Sequence, residues 1–280
     1  MARRRRRALL ILAAVAGTMF AAGAASANVP ASARLAHPTA PQTGGTVAVV
    51  SPGQPDIPPA GAARPGVSGA PRTPARSTNW SGYAVARGAG AYRSVSASWV
   101  EPAATCHAGG GARYAAFWVG LDGYHSSSVE QAGTDSDCQG RTADYYGWYE
   151  MYPDRAIRLA ARVRPGDQVS ASVTFGGRRT YRLVLTDRTR RWTRVIVKNE
   201  AGLARSSAEV ITEAPSSRSG VLALADFGTI RFTAPRVNGA ALGRVAPVRI
   251  VMTDGSGRDK DRTSPIGPAG AFSNVWLRSN

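Results

Sequence analysis

The chain has 280 residues, with 35 basic and 18 acidic side chains and a formal charge of +17. Nine arginines and one acid lie in the first 76 residues, which leaves 26 basic and 17 acidic residues, or +9, for the rest. These remaining arginines are scattered along strand-like segments, and no predicted helix presents a stripe of basic residues. The charge therefore favours a solvated basic surface over a specific nucleic-acid site.

The first 27 residues have the three parts of a secretory signal. Arginines at 3–7 precede an apolar run at 8–22, and small residues at 25–27 resemble a signal-peptidase site. The apolar run is short for a permanent membrane span, although a retained anchor is the alternative. Arg6 and Arg7 also suit a twin-arginine route. We expect a secreted, extracellular protein with no membrane attachment after signal removal.

Residues 28–76 are rich in Pro, Ala, Gly and Ser and hold no aromatic residue. Such a segment buries too little apolar surface to offset its ordering entropy, so we predict a disordered linker or pro-segment. Residues 77–280 contain every Trp, Tyr and Cys and have the size of one all-β domain. We expect the mature chain to start near Ser77 and to be a monomer.

Cys106 and Cys138 are the only cysteines, and they flank the most unusual part of the chain, residues 117–135. An exported chain meets an oxidising environment, so we predict a disulfide between them. Neither their number nor their spacing suits a zinc site, and no cofactor is indicated.

About a dozen segments have the two-residue alternation or the β-branched and aromatic content of strands, and no amphipathic helix is evident. The glycines at 176–177 mark a tight hairpin between two of them. This pattern predicts a sandwich of two antiparallel sheets. The predicted strands are 79–85, 94–100, 117–122, 129–134, 145–152, 157–163, 168–175, 180–187, 192–198, 208–213, 221–227, 230–233, 248–252 and 275–278.

The segment 117–135 combines two strands with a loop of Gly, Asp and Ser. Alternation places Trp118, Gly120 and Asp122 on one face of the first strand. In the second strand, Glu130 and Gln131 must point to opposite faces, so only one of them can face a cleft. The dense aromatics at 145–152, which include Trp148 beside Glu150, could line such a cleft.

Most familiar catalytic motifs are absent, including GxSxG, HExxH and the phosphate-binding loop. His125 precedes three serines, but neighbours in a flexible loop do not form a positioned base and nucleophile. Carboxylates remain the best candidates. Glu209 lies in an otherwise apolar strand with Glu213 on the same side, which also fits the polar face of an edge strand.

Six segments resemble, in order, the signature blocks of the glutamic peptidases, or eqolisins. They are NWSGYAV (79–85), FWVGLDG (117–123), EQAGTD (130–135), WYEMYP (148–153), AEVITE (208–213) and ADFGTIRFT (225–233). The resemblance implies a sandwich of two curved antiparallel sheets of the lectin-like type and an acid-active endopeptidase. Val210 departs from the usual Trp, and the domain is basic where fungal members are acidic.

By motif, the resemblance implies that Gln131 and Glu209 are the catalytic dyad, that Trp118 lines the substrate groove and that Asp135 is a supporting acid. Asp122, Trp148 and Glu150 complete the expected substrate-binding residues, and the partners are protein or peptide substrates. Glu209 would activate water and protonate the leaving amine, while the Gln131 amide would stabilise the oxyanion.

Two other functions remain open from the residues alone. A non-catalytic carbohydrate- or surface-binding sandwich has the same architecture. A glycosidase would pair Glu209 with Glu213 or Glu150 across the groove.

Overall fold

The computed structural model describes residues 73–280, which contain eighteen β-strands and two short 3₁₀ turns but no α-helix. The predicted signal sequence, and all but the last few residues of the predicted linker, lie outside the described residues. The first strand begins at Ala75, two residues before the boundary that composition suggested.

The strands alternate with short connections along the whole described chain. In chain order they are β1 (Ala75–Ser77), β2 (Trp80–Ala86), β3 (Ser94–Val100), β4 (Ala116–Leu121), β5 (Val129–Gln139), β6 (Thr142–Tyr152), β7 (Ile157–Arg162), β8 (Gln168–Gly177), β9 (Thr180–Asp187), β10 (Trp192–Asn199), β11 (Ser207–Glu213), β12 (Ser216–Ser217), β13 (Gly220–Val221), β14 (Thr229–Val237), β15 (Ala240–Ala241), β16 (Val248–Met252), β17 (Asp261–Thr263) and β18 (Phe272–Trp276). The 3₁₀ turns are Leu242–Arg244 and Pro268–Gly270.

Two large sheets form the predicted sandwich. The first has the strand order β1-β16-β2-β11-β4-β5-β6-β7, and the second has the order β10-β9-β8-β3-β14-β18-β17, with β15 added to β14. Neighbouring strands in both sheets are antiparallel except β1 and β16, which are parallel. The prediction of two antiparallel sheets is confirmed.

The core lies between the sheets because alternate residues of each strand point inward. Phe117, Val119 and Leu121 of β4 are fully buried in one apolar cluster with Val173 and Leu183 of the second sheet. Each such side chain contributes about 1.5–3 kcal/mol relative to an exposed position. The alternation predicted for residues 117–122 therefore fixes which face of the first sheet is available for chemistry.

Two strand predictions need correction. Residues 221–227 do not form one strand: β13 ends at Val221, and Leu224 and Asp226 make only isolated bridges, to Tyr114 and Thr105. The segment is apolar because Leu224 and Phe227 are buried, and burial alone does not require a ladder. The last strand is Phe272–Trp276 and not 275–278.

The hairpin between β8 and β9 is present, but its turn is shifted. Gly177 pairs with Thr180, so the two turn residues are Arg178 and Arg179, with φ of 49° and 72°. Two consecutive residues with positive φ fit the primed turns that match the twist of a hairpin. Arginine is an unusual residue at such positions, and the adjacent glycines are the stronger turn signal in the sequence.

The predicted disulfide is confirmed. Cys106 and Cys138 are bonded, with their Cα atoms 5.5 Å apart, and they close a loop with a sequence separation of 32. Because Cys138 is in β5, the bond ties the loop before β4 to one of the central strands of the first sheet.

The described residues include no helical segment with the length and hydrophobicity of a membrane span.

Candidate active site

Strand register brings Gln131 and Glu209 to the same face of the first sheet. Glu209 of β11 lies opposite Gly120 of β4, and Gly120 lies opposite Gln131 of β5. Residues directly opposite each other in an antiparallel pair project from the same face. Ala84 and Glu150 extend this row on its two sides. The two predicted dyad residues are therefore neighbours across one glycine.

Gly120 keeps the space between the dyad residues open. Two strand spacings place the Cα atoms of Glu209 and Gln131 roughly 10 Å apart, a distance that two long side chains can span from both sides. A Cβ atom built on Gly120 would lie 2.9 Å from Cζ3 of Trp118 and 3.3 Å from Cβ of Gln131. Any other residue here would push against Trp118 and Gln131.

The Gln131 side chain is held in one orientation by Glu150. Its Nε2 donates to Oε2 of Glu150 over 2.6 Å, and both side chains are buried. An amide has two N–H donors, so one remains for another acceptor. Oε1 of Gln131 accepts no hydrogen bond from another described residue. The amide therefore offers one donor and one acceptor on the face that it shares with Glu209.

Glu209 is fully buried, and neither carboxyl oxygen has a hydrogen bond of ordinary geometry within the described chain. Burial raises the pKa of Glu209 well above its usual value, and the carboxylates of Asp122 and Glu130 raise it further. The Ser207 hydroxyl and the Tyr124 backbone oppose this rise in the pKa. A buried carboxyl group with a raised pKa in such surroundings has the pattern of an acid–base catalyst.

Glu213 occupies the same face but has a different environment. Trp118 Nε1 donates to its Oε2 over 2.8 Å, and Asn79 Nδ2 donates to its Oε1 over 3.3 Å. Burial raises the pKa of Glu213 well above its usual value, and the Trp118 indole lowers it in part. Both oxygens are engaged, so Glu213 positions Trp118 and is a poorer candidate for proton transfer than Glu209.

Asp135 lies on the same face and shares a hydrogen-bond network with two aromatic residues of β6. It accepts from Trp148 Nε1 over 2.5 Å and from the Tyr146 hydroxyl over 2.8 Å. The same hydroxyl lies 2.9 Å from Oδ2 of Asp137. One hydroxyl proton serves one acceptor at a time, so the two carboxyl groups are expected to retain a proton between them. Burial raises the pKa of Asp135 to about 7 and that of Asp137 well above its usual value.

Asp122 does not join the row of Glu209, Gly120 and Gln131. It leaves β4 with a φ of 66°, and its carboxylate accepts from the backbone N–H groups of Arg205 and Ser206 over 2.6 and 2.8 Å. It also accepts from the Ser206 hydroxyl. These bonds fix the start of β11, so the contacts of Asp122 position the strand that carries Glu209.

Glu130 points away from the site, as alternation requires. It lies opposite Leu121 and Met151, which belong to the core between the sheets. The site face also includes Asp137 and Tyr146, which sequence reasoning did not single out. Asp137 could have been found, because it lies six residues after Gln131 in the same strand and therefore on the same face.

The structure brings together Gln131, Glu209, Trp118, Trp148, Glu150 and Asp135 on one face. Trp118 and Trp148 are buried, and their indole N–H groups are committed to carboxylates. Among residues 73–280, no group of three or more His, Cys, Asp or Glu side chains could hold a metal ion.

Comparisons with known proteins agree with this fold. The chain is 28% identical over 179 residues to aspergillopepsin-2 of Aspergillus niger, an alignment that spans 56% of this chain and 63% of the relative. The structure resembles that of scytalido-glutamic peptidase, solved with a transition-state analogue inhibitor, with a TM-score of 0.61 and 24% identity over 71% of this chain and 98% of the other.

Aspergilloglutamic peptidase from Aspergillus niger gives a TM-score of 0.53 at 23% identity, covering 59% of this chain and 99% of its own. At these identities the structural likeness supports the fold. The sequence profile of the peptidase A4 family matches residues 78–255, which is more than half of the chain. On this match, the chain belongs to the peptidase A4 family, the glutamic peptidases or eqolisins.

Proposed function

We propose that the protein is a secreted endopeptidase that hydrolyses peptide bonds with Glu209 and Gln131. The observation that carries the proposal is the register of β11, β4 and β5, which puts these side chains on either side of Gly120. Family membership supports the reaction class. The N-terminal residues 1–27 support export, and the substrates are proteins or peptides.

In the proposed reaction, ionised Glu209 removes a proton from a water molecule that attacks the scissile carbonyl. The Glu209 carboxylate makes no hydrogen bond of ordinary geometry to another described residue, so a water that reaches it would displace no such bond. The free N–H of the Gln131 amide donates to the oxyanion that forms, and Oε1 of Gln131 orients the water. Glu209 then transfers its proton to the leaving amine.

Glu150 makes the Gln131 amide a fixed donor. The 2.6 Å bond to Nε2 sets which end of the amide is the donor, so no reorganisation is needed when the oxyanion forms. Preorganised donors of this kind contribute about 2.7–4 kcal/mol to transition-state stabilisation in comparable sites.

The surroundings of Glu209 set the expected pH dependence. Because burial raises its pKa, the ionised base is a minority at strongly acidic pH. We therefore expect kcat/KM to rise with pH through a limb that lies above the ordinary pKa of a glutamate.

Three variants test the assignment of the dyad. Glu209→Gln keeps the size of the side chain but cannot titrate, so kcat should fall about 10²–10⁴-fold. Gln131→Ala removes the oxyanion donor and should lower kcat about 10²–10³-fold. Glu213→Gln is the matched control, since Glu213 is an equally buried carboxyl four residues from Glu209 and is engaged with Trp118.

The assay is the cleavage of a denatured protein and of a short peptide across the acidic pH range, with circular dichroism to confirm folding. Pepstatin, which is directed at paired aspartates, should not inhibit. Full activity in Glu209→Gln with loss in Glu213→Gln would move the catalytic Glu by four residues. Wild-type activity in both variants would refute the glutamic-peptidase mechanism.

A further inference from the structure

The outer face of the second sheet, on the side of the sandwich away from Glu209, has an unusual composition. The outward positions of β3, β8, β9, β10, β14, β17 and β18 carry Ser, Thr, Val and Arg, with single Gln and Asn residues and small residues at strand ends. None of these described positions holds an Asp, a Glu or an aromatic residue. Acidic residues in these strands, such as Asp187 and Asp261, are buried.

Hydroxyl groups form the centre of this face. Strand pairing places Ser96 opposite Ser172 and Ser98 opposite Ser170, and Ser170 lies opposite Thr186 of β9. We call these five residues the hydroxyl floor. No hydrogen bond joins the four serine hydroxyls to another residue in the described range. They are therefore free to donate to, and accept from, a ligand.

Four exposed arginines surround the hydroxyl floor, and we call them the arginine frame. Arg182 lies on the outer face of β9, next to the buried Tyr181. Arg188 lies just beyond the end of β9, and its backbone N–H donates to the carbonyl of Gln168. Arg236 lies opposite Ser96, and Arg231 lies two residues before Thr233, which is opposite Ser98. The two pairs are separated by three strand spacings, or roughly 14 Å.

The charges of the frame are not neutralised within the protein. None of the four ion pairs between described residues involves an arginine of the frame. The only side-chain hydrogen bond that these guanidinium groups make in that range joins Arg236 to the carbonyl of Gly239. The frame thus keeps nearly all of its N–H donors for a partner that brings its own negative charge.

The surface between the arginines is shaped into two adjoining depressions. One, of about 630 Å³, is lined by Arg188, Arg231 and Ser98 among others, and its lining also includes the buried residues Trp99 and Glu101. The other, of about 380 Å³, is lined by the hydroxyl floor and shares Ser98 with the first. A chain laid along both depressions would contact hydroxyl groups and pass between arginines on either side.

We propose that this face binds an acidic polysaccharide, with the arginine frame pairing its carboxylates and the hydroxyl floor bonding its sugar hydroxyls. Arginine forms bidentate, charge-assisted hydrogen bonds with carboxylates, and Ser and Thr hydroxyls both donate and accept. The outward strand positions of this face hold no aromatic residue, and Trp99 is buried, so bases have no exposed ring on which to stack; this disfavours single-stranded nucleic acid. Its few apolar side chains are valines, too small to anchor it in a lipid bilayer.

A bound polysaccharide would leave the proposed catalytic face free. Glu209, Gln131 and Glu150 project from the opposite sheet, on the far side of the core. The two faces differ in charge, because the site face carries five buried carboxyl groups and Asp144, whereas the outward strand positions of the frame face carry none. The protein would therefore stay active while attached to an acidic matrix.

The test uses the full chain as produced and polygalacturonate as the probe, with its fully methyl-esterified form as the uncharged control. Binding is measured by isothermal titration at one fixed, near-physiological ionic strength. The frame variant combines Arg182→Gln, Arg188→Gln, Arg231→Gln and Arg236→Gln. The matched control makes the same change in charge at exposed arginines outside this face, at Arg141, Arg155, Arg164 and Arg218.

We expect the frame variant to weaken polygalacturonate binding about tenfold or more, because several exposed charge pairs are lost together. The control should weaken it less than about threefold by the long-range effect of charge alone. The methyl ester should bind none of the three proteins, that is, the wild type, the frame variant and the control. Cleavage of a short peptide should be the same in all three proteins, with and without polygalacturonate.

Equal weakening in the two variants would show that only net charge matters and would overturn the proposal. Equal binding of the methyl ester would exclude carboxylate recognition, with the same consequence. Duplex DNA that binds through the frame more tightly than polygalacturonate would assign the face to nucleic acid instead. Binding is measured independently of hydrolysis, so these outcomes do not depend on the peptidase mechanism.

Discussion

Replacing Gly120 by alanine tests the geometry of the proposed dyad more directly than removing either of the two proposed catalytic side chains. The new Cβ would lie 2.9 Å from Trp118 Cζ3, 3.1 Å from Val129 Cγ1 and 3.3 Å from Gln131 Cβ. All three distances are shorter than ordinary contacts, so these side chains must move by a few tenths of an ångström or more. Gln131 would move away from the space that it shares with Glu209.

The expected cost in stability is modest. Overpacking of this kind costs about 1–3 kcal/mol, and the gain from replacing glycine in a strand offsets about 0.5–1 kcal/mol of it. For a domain of this size, each kcal/mol corresponds to a change of about 2–4 °C in Tm. The net cost is up to about 2.5 kcal/mol, so we expect Gly120→Ala to remain folded, with a Tm that is lower by up to about 10 °C.

The expected cost in activity is a fall in rate of up to about 10²-fold, which is the loss that a misplacement of about 1 Å produces at a catalytic site. The assay measures kcat/KM on a short peptide beside a thermal melt. Gly176→Ala is the control: its added Cβ would have only an ordinary contact, 3.7 Å from the Thr180 carbonyl. If Gly120→Ala kept wild-type kcat/KM, Gln131 and Glu209 would not act together across this glycine.

Three further predictions follow from the fold. Replacing Cys106 and Cys138 by serine should lower the free energy of unfolding by about 3–4 kcal/mol, measured by urea denaturation, and an unchanged midpoint would contradict a stabilising disulfide. Burial raises the pKa of Glu101 to about 8 and that of Asp135 to about 7, so the native state binds protons that the unfolded chain releases. This stability is complete below about pH 4 and is lost as pH rises through 7 and 8. Tm should therefore fall over that range, less so in Glu101→Gln, and a flat profile would be evidence against it. N-terminal sequencing of secreted protein should find a start close to Ser77. Because β1 begins at Ala75, we expect the cleavage to leave β1 whole, with the first residue at or before Ala75. Fully active protein that starts at residue 28 would show that the segment is only a linker.

The sequence by itself determined the fold class, and local physics explains why. Two-residue alternation requires that Phe117 and Val119 face one side of β4 and Trp118 the other, whatever the strand pairs with. The same rule separated Glu130 from Gln131 and put Glu209 and Glu213 together. Likewise, export implied an oxidising environment, and two cysteines leave one possible intramolecular bond.

Resemblance supplied what alternation could not. Periodicity assigns Gln131 and Glu209 each to a face of its own strand, but the two residues are 78 positions apart in the chain. Nothing local relates one face to the other. The six ordered blocks linked them, and the register of β11, β4 and β5 then placed them on either side of Gly120.

Only the tertiary structure decided the roles of individual carboxyl groups, because those roles depend on long-range hydrogen bonds. Asp122 and Glu213 are both acidic residues, and the sequence does not distinguish their contacts. In the structure, Asp122 accepts a hydrogen bond from the backbone N–H of Arg205, whereas Glu213 accepts one from the indole of Trp118. Glu209 has no hydrogen bond of ordinary geometry to another described residue. The arginine frame is equally invisible in sequence, since its members become neighbours only where β9 and β14 flank β8 and β3 in one sheet. Strand order is set by packing across the whole core, and no local pattern encodes it.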